Sequence, residues 1–92
     1  MSVTIHLSGY LKPFSNGETE VKLEQDLTTV EGVLEILWTK HPALRDRVLT
    51  EQGEIRQHVN IFVGSDDVKR KQGLQTAVNS NDIHIFNAVS GG

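Results

Sequence analysis

"LTTVEGVLEILWTKHP", residues 27–42, is the stretch on which the fold turns. Val30, Val33, Leu34 and Leu37 recur at helical spacing, and Trp38 lies one turn beyond Leu34. Thr28 followed by Glu31 has the form of a capping box, each side chain turned to the other's free backbone N–H. Pro42 cannot continue the helix, but it can open another at its first position. Leu44, Val48 and Leu49 fit that second, short helical turn. Trp38 is the only tryptophan and is expected in the core between the two segments.

Outward from this helix the period changes from 3.6 to 2. In "VTIHL" (3–7), Val3, Ile5 and Leu7 share one face, and Thr4 and His6 share the other. "SNG" (15–17) is a turn signal, and "ETEVKLE" (18–24) alternates again, which predicts a second strand paired with the first as a hairpin. On the C-terminal side, "HVNIFVG" (58–64) points Val59, Ile61 and Val63 inward and Asn60 and Phe62 outward. Gly64 and Asp66-Asp67 mark a turn. "DVKRKQGLQTAV" (67–78) is irregular, with room for a very short edge strand and with Leu74 and Val78 as anchors. "NSND" (79–82) is a further turn. "IHIF" (83–86) is the last strand, with Ile83 and Ile85 inward and His84 and Phe86 outward. The order strand, strand, helix, strand, short strand, strand predicts an α+β domain, with one main helix packed on one face of a small mixed sheet. No helix remains for the other face, which must be solvated or docked on something.

Composition narrows the function. Ninety-two residues make one domain with one core. The chain has no cysteine, so a disulfide framework, a thiolate metal site and a cysteine nucleophile are excluded. The net charge of −3 argues against a nucleic-acid binder and suits a small soluble partner protein. There is no long apolar run and no signal-like N-terminus, which leads us to expect a cytoplasmic protein. No GxGxxG, P-loop or nucleophile motif is present, so the chain is not expected to be an enzyme. His6 and His84 become neighbours if the first and last strands pair, but two histidines without a third ligand make a poor zinc site, and no metal is expected. His41, at a helix end, and His58, at a strand start, are expected at the surface. "KRK" (69–71) is too short for a nucleic-acid site; it is read as a solvated edge, or as a means of steering an acidic partner.

The chain ends "NAVSGG" (87–92). With this ending, "VNIFVGSDDV", "GLQT" and "NDIHIF" in the second half, and the element order above, the sequence resembles the MoaD/ThiS family of β-grasp sulfur carriers, relatives of ubiquitin. "HPALRDRVLTEQGEIRQHVNIFV" (41–63) looks more like the carriers that serve cysteine biosynthesis. The tail departs from many molybdopterin-type members, which have a proline at the position of Asn87 and an alanine at that of Ser90. Losing the proline makes the start of the tail less rigid.

The resemblance implies a ubiquitin-like β-grasp of four to five strands over residues 1–86 and a flexible tail over 87–92. It also implies a chemistry. A separate ubiquitin-activating-enzyme-like adenylyltransferase uses ATP to adenylate the carboxylate of Gly92. A sulfur donor converts this to a thiocarboxylate, and a downstream synthase receives the sulfur. The carrier itself binds no cofactor. Gly92 has no Cβ to hinder attack on its carbonyl, and Gly91 permits unusual dihedrals in a narrow channel. Ala88, Val89, Ser90 and Gly91 would enter the partner. In the β-grasp arrangement the last strand lies between the first and third. His6, His84, Phe86 and Phe62 then fall on one exposed patch, expected to dock the partner. A free carrier with such a face is expected to be monomeric. A ubiquitin-like modifier joined to target lysines through Gly92 shares the first step and is the alternative; an interaction domain with an idle tail is the third reading.

Overall fold

The computed structural model describes residues 2–24 and 28–87. Five strands, β1 (Ser2–Leu7), β2 (Glu20–Glu24), β3 (Val59–Val63), β4 (Asp66–Asp67) and β5 (Asp82–Asn87), form one sheet in the order β2-β1-β5-β3-β4. β1 and β5 run parallel; the other neighbours are antiparallel. Helices α1 (Val30–Lys40) and α2 (Pro42–Val48) follow one another between β2 and β3. The inward positions expected from the alternation are all buried, including Ile5, Ile61, Ile83 and Ile85 with no exposed surface. They pack on Val30, Val33, Leu34 and Leu37 of α1 and on Leu44 and Val48 of α2. Each such side chain contributes about 1.5–3 kcal/mol by leaving water, which is why one helical face suffices to hold the sheet.

Several local expectations are corrected. The cap of α1 is Thr29, not Thr28: Thr29 Oγ1 accepts from Gly32 N at 3.3 Å. Thr28 is committed elsewhere, its carbonyl accepting from Val78 N at 3.0 Å, and Thr29 bridges Ala77, so the chain stays extended until Val30. Asp66-Asp67 is not a turn but the short edge strand itself, paired with Phe62 and Val63. Val68, directly after it, is fully buried, while Leu74 and Val78 are half-buried against the core. The β1–β2 connection holds a 3₁₀ segment, Gly9–Phe14, that buries Leu11. Ser15 then donates to Glu18 O at 2.6 Å, and Asn16 and Gly17 take positive φ, which closes the turn.

Pro42 does open α2 at its first turn. Trp38 is half-buried rather than enclosed, packed against the core at the edge of a cleft with Leu34, Leu49 and Leu74. His41 is not at the surface. It is 8% exposed, with Nε2 2.7 Å from Glu18 Oε2. His58 is exposed as expected. β5 runs through Asn87, taking in the first residue assigned to the tail. Residues 88–92, and with them Ala88, Val89, Ser90, Gly91 and Gly92, lie outside the described residues. No helix among the described residues is long and apolar enough to cross a membrane.

Candidate functional site

Both helices lie on one side of the sheet, so the outward positions of β1, β5 and β3 form an open face. The strand register brings them into line. His6 pairs with Glu20 on one side and His84 on the other; His84 pairs with Phe62, and Phe62 with Asp67. One continuous row, Glu20–His6–His84–Phe62–Asp67, therefore crosses all five strands, with rings in the middle and carboxylates at the ends. Residues opposite each other on one face of neighbouring strands sit close enough to touch, and they do. The His6 and His84 rings stack at 4.6 Å between centroids and 14° between planes. Phe86, two residues beyond His84, stacks on Phe62 at 5.6 Å and 25°.

The four predicted face residues thus form two stacked pairs side by side. His6 is held in place: its Nε2 lies 2.8 Å from Asp82 Oδ1, and its Nδ1 lies 3.8 Å from Glu20 Oε1. Phe62 is half-buried, because its stack and the β4 edge cover part of it, while Phe86 remains 36% exposed. The two phenylalanine rings shield each other only in part. No cluster of three or more metal-ligating side chains occurs among the described residues. Glu20, Asp67 and Asp82 complete the face and were not singled out by sequence reasoning. Only the register identifies them, since each is an ordinary surface acid in its own strand.

Of the basic run, Lys69 is not a free steering charge. Its Nζ donates to the carbonyls of Arg56 at 3.2 Å and Gln57 at 2.9 Å, tying the segment before β3 to the segment after β4. Lys71 and Arg70 remain at the surface.

A five-stranded mixed sheet in this order, with parallel central strands and a helix across one face, defines a ubiquitin-like β-grasp protein. The chain belongs to the ThiS family, which it matches over residues 5–92. The sulfur carrier protein CysO of Mycobacterium tuberculosis is 30% identical over 95 aligned positions spanning 100% of both chains. SAMP1 from Haloferax volcanii superposes with a TM-score of 0.82 at 29% identity, covering 100% of each chain. A chain of the Amycolatopsis orientalis BexX/CysO complex superposes with a TM-score of 0.84 at 26% identity, over 98% of this chain and 99% of that one. The expected family and fold are therefore established, and the chain is homologous both to sulfur carriers and to ubiquitin-like modifiers.

Proposed function

We propose that this chain is a cytoplasmic sulfur carrier that works through a thiocarboxylate on Gly92. The observation that carries the reading is a family match running through Gly92, joined to an end-to-end relationship with a sulfur carrier. On a separate adenylyltransferase, a carboxylate oxygen of Gly92 attacks the α-phosphorus of ATP and displaces pyrophosphate. The sulfur of a donor, sulfide in the simplest case, then attacks the acyl carbon, and AMP leaves with its electron pair. The product is a C-terminal thiocarboxylate. Its sulfur passes to an acceptor in a pathway of the cysteine type, with molybdopterin and thiamin types as the other candidates. The chain is a co-substrate and not an enzyme, and ATP is bound by its partner. His6, His84, Phe62 and Phe86 dock the partner, while Ala88, Val89, Ser90 and Gly91 lead Gly92 to the reacting centre.

The test is the intact mass of the full chain after incubation with ATP and sulfide in a lysate of its source organism. The expected result is a gain equal to one oxygen replaced by sulfur, placed on Gly92 by fragmentation. Its absence, with Gly92 found on lysines of other proteins, would move the reading to a protein modifier, which the likeness to SAMP1 favours as the second possibility.

A further inference from the structure

Beside the point where β5 hands over to residue 88, on neither the aromatic row nor the helical cleft, lies a polar cleft of about 170 Å³. Tyr10, Asp46, Arg47, Arg56, His58 and Asn87 line it. These residues come from four separate parts of the chain. Tyr10 is 60% exposed, the most exposed large apolar side chain among the described residues. Tyrosine and arginine are the types enriched where binding energy concentrates.

Both arginines are held in position from within. The Arg47 guanidinium carbon sits 4.3 Å over the Phe14 ring. Arg56 Nε donates to Asp46 O at 2.8 Å, its backbone N–H donates to Val48 O at 2.9 Å, and its carbonyl accepts from Lys69. Yet neither guanidinium has a carboxylate partner among the described residues. Asp46 is the only acid in the lining, and its Oδ1 lies 3.4 Å from a third arginine, Arg45. Asn87 Oδ1 is buried and accepts no hydrogen bond among the described residues. A buried acceptor left without a donor is uncommon.

We infer that this cleft is a second contact of the tail-receiving enzyme, one that takes acidic side chains at the mouth of the channel the tail enters. A preorganised guanidinium fork matches a carboxylate in bidentate geometry and loses little freedom in doing so. Two such forks on a chain of net charge −3 make a local reversal of sign, which orients a partner as well as holding it. The aromatic row supplies apolar contact on the sheet face, and the arginine cleft sets the direction in which the tail leaves. The inference rests on the adenylation step proposed above.

The experiment is ATP–pyrophosphate exchange with the enzyme that adenylates the wild-type full chain, comparing Arg47→Glu with Arg56→Glu, alone and together, over a range of NaCl concentrations. Lys40→Glu is the control for each single variant, because it changes the net charge as much as either one and lies outside the cluster. The double variant is expected to raise the KM for the carrier at least tenfold, on the order of what charge reversal at a contact produces, with kcat held and a flatter salt dependence. Lys40→Glu should stay within about twofold, as rim charges do. Arg47→Lys with Arg56→Lys, which keeps charge but loses the fork, should fall between. Melting curves of each variant separate weak docking from poor folding. An unchanged KM, or an equal loss in Lys40→Glu, would overturn the inference while leaving the carrier reading intact. A shift in the KM for ATP instead would assign the arginines to nucleotide phosphates and also overturn it. A wild-type chain that supports no exchange with any adenylating enzyme would remove the carrier reading, and this inference with it.

Discussion

Phe86→Ala gives the most direct test of the sheet face. Phe86 keeps 36% of its surface exposed; for a phenylalanine of roughly 200 Å² that is about 70 Å², and covering it at about 25 cal/mol per Å² contributes roughly 1.8 kcal/mol to docking. Alanine retains part of that contact, so the loss should be about 1–1.5 kcal/mol, or roughly 5- to 15-fold in KM for the carrier. If Phe86 has the proposed docking role, it contributes binding and not chemistry, so kcat should hold. The variant also loses its stack on Phe62, about 1 kcal/mol of fold stability, which is a modest share of the roughly 5–15 kcal/mol of a small domain. The assay is ATP–pyrophosphate exchange at several carrier concentrations, with a thermal melt alongside. A KM within twofold of wild type in a variant that melts as a folded protein would refute the docking argument. A loss confined to kcat would place Phe86 in a different role from the one argued.

Three further outcomes follow from particular contacts. Glu18→Ala leaves the buried His41 Nε2 without its 2.7 Å partner; Glu18 itself is exposed, so water can enter from its side and substitute in part, and the expected cost is about 1 kcal/mol, read by urea denaturation, and a cycle with His41→Phe should show coupling between the two. Gly64→Ala meets both a φ of +59° and Ser80 at 3.2 Å, so it should destabilise by roughly 1–2 kcal/mol, whereas Gly9→Ala, with open space around it, should not. Removing Gly91 and Gly92 should abolish the mass gain on the chain, and a truncated chain that still gains sulfur would exclude Gly92 as the reacting residue.

The core and the architecture were legible in the chain because alternation and helical spacing each record burial over a few residues. Val3, Ile5 and Leu7, or Val30, Val33, Leu34 and Leu37, point to their own face without reference to any distant residue. The expectations that failed did so where another segment competes, distant in two cases and a neighbouring strand in the third. Thr28 has the right spacing for a cap, but Val78 claims its carbonyl. Asp66-Asp67 has turn chemistry, but the exposed edge of β3 pairs it as a strand. His41 stands before a proline at a helix end, and only the folded chain brings it against Glu18, 23 positions earlier.

The same division holds for function. By itself the sequence determined an α+β pattern with no cysteine, a ThiS-like second half and a Gly-Gly end, and it placed His6, Phe62, His84 and Phe86 on the outward side of their strands. Their order across the sheet belongs to tertiary structure. So do the tie of His6 to Asp82, 76 positions away, the acids that end the row, and the meeting of Tyr10, Arg47, Arg56 and Asn87 at the base of the tail. The physical reason is range: side-chain periodicity is a property of a few consecutive peptide units, whereas the neighbours of a surface residue are chosen by strand pairing and loop closure, which join segments the local pattern cannot relate.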